Sequence, residues 1–227
     1  KGEWNTISLP FYLTKARITG QDSHPLQDAD IRRLQETTFD NGTLTLTFTN
    51  DLLSNAGEDQ TVMQTGTPYL VKPAGDKNSY IENPEFKNVL IQKSSLSNTD
   101  YTSTTYLDFM PNFTPYEVAG EDRTMLYLGA DNKLYYPTAA MTINSFRGYF
   151  KFKGGITAGD LASGANARRF VLNFGDGDES TGILSLSADS KDAMDNATWY
   201  TLDGRRLTGK PSRAGIYINN GKKIIIK

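Results

Sequence analysis

Thr43-Leu-Thr-Leu-Thr-Phe-Thr49 alternates apolar and hydroxyl side chains without a break. Successive side chains of a strand point to opposite faces, so a period of two puts Leu44, Leu46 and Phe48 on one buried face. β-Branched threonines suit the pleated backbone between them. Asp40-Asn41-Gly42 comes immediately before, and Asn-Gly supplies the positive φ angles that a two-residue hairpin turn demands. The arm before the turn, Ala29–Phe39, is therefore expected to be strand as well, although Ile31 and Leu34 alone also fit one helical turn.

The same punctuation recurs outward from this hairpin. Trp4–Leu13 alternates loosely around Pro10 and reads as an edge or bulged strand whose aromatics face the core. Thr67–Pro73 is a short strand boxed by prolines, and Phe86–Gln92 follows as another. Thr104–Met110 and Tyr116–Val118 flank a Pro-Asn-Phe-Thr-Pro bend, and Met125–Leu128 and Lys133–Tyr136 form a hairpin over Gly129–Asn132. Phe146–Phe152 and Arg169–Phe174 complete the series. Strands at this density, with no long amphipathic helix, predict an all-β chain: an antiparallel β-sandwich over 1–174.

Totals narrow the function classes. The 227 residues include 12 Tyr and 11 Phe, a mixture that suits strands. The net charge is −2 with scattered Lys and Arg, which gives no basic stripe for a phosphate backbone, so nucleic acid is not expected as a partner. No apolar run reaches the length of a membrane helix. With no cysteine, disulfides, thiolate metal sites and a cysteine nucleophile are excluded. The N-terminal residues run straight into a strand without the parts of a signal peptide, so the chain is expected to be a mature form or a piece of something longer.

Composition changes at Gly175. Gly, Asp and Ser crowd 175–197, which reads as a linker or long loop. Beyond it, 198–227 reads as a small β-hairpin unit: Trp199–Leu202, Asp203-Gly204, Arg205–Leu207, then Gly215–Ile218, Asn219-Asn-Gly221 and Lys222–Lys227. Lys222, Lys223 and Lys227 would keep its apolar edge from pairing with other chains.

The ordered pieces Leu202-Asp203-Gly204-Arg205, Gly215-Ile216-Tyr217-Ile218 and Gly221-Lys222-Lys223 resemble the C-terminal tail of secreted and surface proteins of Bacteroidetes, the type IX secretion sorting domain. Upstream, Trp4–Phe11, Gly66–Pro73 and Phe146–Phe150 are similar to segments of β-rich surface proteins from gut and oral members of that group. The resemblance implies an extracellular or outer-membrane-surface location, and a chain that is the C-terminal part of a larger exported protein with upstream domains of its own.

Catalytic constellations are thin. His24, the single histidine, would have to serve as base in any Ser-His-Asp triad, but Asp22-Ser-His-Pro25 reads as a polar surface loop. One histidine without cysteine leaves no multi-histidine zinc site. Asn173–Glu179 lacks the full calcium-loop spacing. Asp and Glu total 26, yet spacing in sequence does not set the separation that a glycosidase pair needs, and solvated carboxylates are the plainer reading. Asn41, Asn112 and Asn196 sit in glycosylation sequons that turn chemistry explains.

Amphipathic aromatics on a rigid sheet stack on sugar rings, which makes Tyr106, Tyr116, Tyr135, Tyr136 and Trp199 candidate ligand-binding residues. Alternation puts one of Tyr135 and Tyr136 in the core. The expectation is a non-catalytic cell-surface or secreted module with a structural or adhesive role, with no cofactor and no metal. A host or bacterial surface protein or glycan is its expected partner, and a carbohydrate-binding module is the alternative.

Overall fold

A computed structural model describes residues 3–21, 24–75, 84–91, 101–159, 166–167, 169–175, 180–183, 199–201, 206–207, 215–219 and 222–226. The chain is all-β and divides into two compact units, Lys1–Leu184 and Ser185–Lys227. No described helix is long and apolar enough to cross a membrane.

In chain order the first unit runs β1 (Asn5–Ser8), β2 (Leu13–Thr14), α1 (Lys15–Thr19), β3 (Asp30–Arg32), β4 (Leu34–Asp40), β5 (Thr43–Phe48), α2 (Leu52–Asn55), β6 (Thr61–Met63) and β7 (Pro68–Lys72). It continues with β8 (Thr102–Ser103), β9 (Leu107–Asn112), β10 (Tyr116–Val118), β11 (Met125–Leu128), β12 (Leu134–Tyr135), β13 (Met141–Ile143) and β14 (Arg147–Phe152). Last come β15 (Thr157–Ala158), β16 (Asn166–Ala167), β17 (Arg169–Asn173) and β18 (Ser180–Ile183).

The opening hairpin forms as the sequence predicts. β4 and β5 pair antiparallel up to Asp40 opposite Thr43, and Asn41 and Gly42 turn between them with φ of 48° and 77°. Leu44, Leu46 and Phe48 are all buried. β5 then lies inside a four-stranded sheet of order β18-β17-β5-β4. A five-stranded sheet of order β12-β11-β14-β9-β8 shares its core: Leu44, Leu46 and Phe170 from the first sheet join Phe109, Leu126 and Phe150 from the second.

β17 runs parallel to β5, Arg169 opposite Thr43, which breaks the purely antiparallel arrangement expected. Parallel neighbours need a long crossover connection, and here almost the whole unit serves as one. A third sheet, β1-β7-β3, covers its own core of Leu13, Ile18, Ile31, Met63, Tyr69 and their neighbours. β1 is an edge strand that ends before Pro10, as that proline requires. Trp4 and Phe11 are buried, but Tyr12 is exposed beneath the Arg17 guanidinium.

Five readings need correction. Phe86–Ile91 is not a strand: Asn88 has a φ of 55°, Arg17 donates to its carbonyl, and Phe86 and Val89 are the residues that pack inward. That spacing is three, so the apparent run had no period-two face; Gln92 lies outside the described residues. Thr104–Tyr106 makes the turn between β8 and β9, and Pro111 and Asn112 belong to β9 instead of a bend. Ser180–Ile183, expected in a linker, pairs antiparallel with β17 as β18; 176–179 and 184–197 lie outside the described residues. His24, expected in an exposed loop, is 7% exposed. Its Nδ1 accepts from Leu26 N–H at 3.1 Å and its ring meets Phe86 edge-on.

In the second unit, β19 (Trp199–Thr201), β20 (Arg206–Leu207), β21 (Gly215–Asn219) and β22 (Lys222–Ile226) form one antiparallel sheet of order β20-β19-β21-β22. β19 pairs with β20 and β21 with β22, and β19 beside β21 joins the two pairs. The expected turn residues 203–204 and 220–221 lie outside the described residues.

Candidate functional site

The site is built at the turn that leads from β13 into β14. Asn112, 2% exposed, donates its amide to the carbonyls of Ile143 at 3.0 Å and Asn144 at 3.1 Å. Its own carbonyl accepts from Phe146 N–H, while the Phe146 carbonyl accepts from Ser8 N–H at 3.0 Å. These bonds hold Phe146 at a φ of 64°, a region that bulky side chains rarely enter. The residue is 47% exposed, and its ring touches only the edge of Phe113 among the described aromatics, at 6.4 Å between centroids.

Two residues on, Gly148 is required by close approach: a Cβ there would lie 2.6 Å from the Phe109 ring. Its N–H donates to Thr6 Oγ1 at 3.0 Å, which fixes β14 against β1. Between Phe146 and Gly148, Arg147 donates through Nη1 to Asn5 Oδ1 at 3.2 Å and to the Thr6 carbonyl at 3.3 Å. Both acceptors are neutral, and no described carboxylate pairs with this guanidinium.

Arg147 stands between two concavities. A groove of about 310 Å³ has Pro25, Leu26, Pro73, Pro84, Phe86 and Phe146 in its walls, with Arg147 its only charged residue among the described ones. A cleft of about 400 Å³ on the other side is more polar, lined by Glu3, Asn5, Thr142, Asn144, Arg147 and Tyr127 among others. Burial raises the pKa of the Tyr127 hydroxyl, and the neighbouring Tyr135 adds to that shift. Tyr127 therefore offers a neutral phenol, donor and acceptor at once, at the cleft wall.

The structure separates the candidate aromatics. Tyr135 is half-buried on β12, stacked on Tyr127 at 5.9 Å, while Tyr136 is the core member of the pair, under the Arg123 guanidinium at 4.8 Å. Tyr106 lies in the β8–β9 turn against Phe39, at the opposite edge of the same sheet. Tyr116 is 41% exposed on β10 and stacks at 5.3 Å on the buried Tyr149 of β14, whose pKa is raised by burial and then by Tyr116. These residues form no single row. Trp199 lies on β19 in the second unit, as do Gly215, Ile216, Tyr217 and Ile218 on β21 and Lys222 and Lys223 on β22. Leu202, Asp203, Gly204, Arg205 and Gly221 lie outside the described residues.

Sequence reasoning missed Phe146 and Arg147 as site residues because the alternation of Phe146–Phe152 made them part of a strand. The one available signal was the polar pair Asn144-Ser145 before them, a turn composition. Among the described residues no three His, Cys, Asp or Glu side chains gather as a metal set. The chain matches no protein-family model, no curated protein and no solved structure.

Proposed function

We propose that the chain is a non-catalytic module of a cell-surface or secreted protein and works by adhesion through a preformed surface. Phe146 carries this reading. A left-handed backbone costs an L-residue about 1–2 kcal/mol, and a phenylalanine left 47% exposed recovers little of that by packing within its own chain. Strain of this kind persists where the conformation serves something other than stability. Rigidly displayed aromatics are the anchors of binding surfaces. The location rests on the resemblance of Leu202–Arg205, Gly215–Ile218 and Gly221–Lys223 to exported tails.

The larger cleft supports a second reading, a carbohydrate-binding module. The half-buried Tyr127 at the cleft wall, with Asn5, Thr142 and Asn144 nearby, offers a sugar an aromatic surface and neutral hydrogen-bonding groups.

The full chain and its Phe146→Gly variant are to be tested on immobilised host glycoproteins, before and after deglycosylation, and on a glycan array. Saturable capture that survives deglycosylation and weakens about tenfold in the variant is the expected result. Capture that deglycosylation abolishes transfers the assignment to the cleft, where Tyr127→Ala should remove it. Equal capture by wild type and folded Phe146→Gly takes Phe146 out of the function.

A further inference from the structure

We propose that the groove beside Phe146 receives the C-terminal residue of another polypeptide, its apolar side chain among the prolines and its carboxylate on Arg147. The inference rests on the binding-module reading and names the chemistry of that module's ligand.

The walls define the apolar half. Pro25, Leu26, Pro73, Pro84 and Phe86 offer carbon surface with fixed backbones, and Phe146 stands at the same groove. Proline rings lose little freedom when covered, so a side chain laid between them gains burial at low ordering cost. About 310 Å³ lies at the lower end of the roughly 300–1,000 Å³ that ligand pockets span. Liquid water occupies roughly 30 Å³ per molecule, so the space suits about ten non-hydrogen atoms. That is about one leucine-sized residue with its carboxylate.

Charge defines the other half. Nη1 of Arg147 is held by Asn5 and Thr6, which orients the guanidinium without neutralising it. Its Nε and Nη2 donors have no acceptor among the described residues, and that edge binds a carboxylate through two parallel N–H···O bonds. Glu3, which would oppose an anion, lines the neighbouring cleft and not this groove.

A chain-terminal residue joins an apolar side chain and a carboxylate at one carbon. An internal aspartate or glutamate would satisfy Arg147 and leave the proline walls uncovered. A saccharide would lay hydroxyls against the proline, leucine and phenylalanine walls, and its side-chain hydrogen-bond partners among the described residues would be Asn5, Thr6 and Arg147 alone.

Fluorescence anisotropy with the full chain decides the matter, using a labelled pentapeptide ending in leucine, its C-terminal amide, and the same peptide ending in lysine. The free acid should bind saturably, and the amide and the lysine peptide about tenfold or more weakly, as loss of a charge-assisted pair or of the apolar anchor demands. Arg147→Gln should weaken the free acid about tenfold and leave the amide unchanged, and Arg147→Lys should fall between because it keeps charge without the fork. An unaltered thermal midpoint establishes that each variant is folded.

Equal affinity for acid and amide overturns the proposal, as does an Arg147→Gln loss that is the same for both. So does a saccharide that occupies the groove in place of the peptide. Absence of peptide binding at about 1 mM also overturns it. In that case Phe146-dependent capture of glycoproteins keeps the module reading alive, and loss of both removes both.

Discussion

At Phe146 backbone and side chain work against each other, and glycine separates them. Phe146→Gly keeps the bonds to Asn112 and Ser8 while removing the steric penalty of positive φ. It should leave thermal stability unchanged or raise it by up to about 1 kcal/mol, read as the midpoint of unfolding; a loss of several degrees would make Phe146 a core residue. His24 supplies a second test. Burial lowers its pKa from 6.5, so the unfolded chain binds the proton more tightly than the folded one. Its contribution is therefore complete above about pH 6.5 and is lost as pH falls below that value toward the lowered pKa. Urea midpoints at pH 7.5 and 5.5 should differ in the wild type and differ less in His24→Gln. Ser8 Oγ is fully buried without a hydrogen-bond partner among the described residues. Ser8→Ala removes that unmet donor and should be neutral or stabilising by denaturant titration. Alternation made the Tyr135–Tyr136 split legible from sequence. The burial of His24 was not, because it depends on Phe86, more than sixty residues away in the chain.

Elements formed where two local signals agreed. Asn41-Gly42 and the alternation after it point to one hairpin, and the structure has it. At Phe86–Ile91 only apolar content spoke for a strand. No ladder partner lies beside it among the described residues, and Leu90 and Ile91 are 68% and 58% exposed. The short helix α2 shows how much one side chain can hold. Asp51 caps it by accepting from Leu53 N–H at 3.0 Å and Ser54 N–H at 3.3 Å, and the same carboxylate accepts from Ile31 N–H of β3 at 3.0 Å. Asp51→Ala should therefore cost at least the upper end of a capping loss, about 2 kcal/mol. Denaturant titration measures it, and a loss under about 0.5 kcal/mol, the scale of a surface change, would show that the cap is idle.

For the first unit as a whole, the decisive contacts join residues from its two ends. Trp4 stacks on Phe174 with centroids 4.7 Å apart, and the buried Arg32 guanidinium lies over both rings at 5.5 and 5.2 Å. Arg32 also donates to both oxygens of Asp30, at 2.9 and 3.0 Å, and to the Phe174 carbonyl at 2.6 Å. Arg32→Ala leaves the Asp30 charge to the longer Lys72 contact at 3.8 Å and should cost about 3 kcal/mol; Arg32→Lys, which loses the fork, should recover only part of it. The sequence announced Trp4 as core and Phe174 as the end of a strand but held no sign that they meet, just as it held none of β17 lying parallel to β5. Pairings between distant segments leave no local pattern, because alternation states which face is buried and never against what.

The position of β18 also sets how this unit would bear a mechanical load. Beyond Phe174 the chain returns along β17 and puts Ile183 opposite Arg169, so a tether pulling at both ends would leave the unit at the far end of β17 from the Trp4–Phe174 stack, and tension would reach the β17–β18 ladder before it reached the aromatic stack. Stretched as a single molecule, the unit should yield in two stages, β18 peeling away before the stack parts, and Arg32→Ala should lower only the second force.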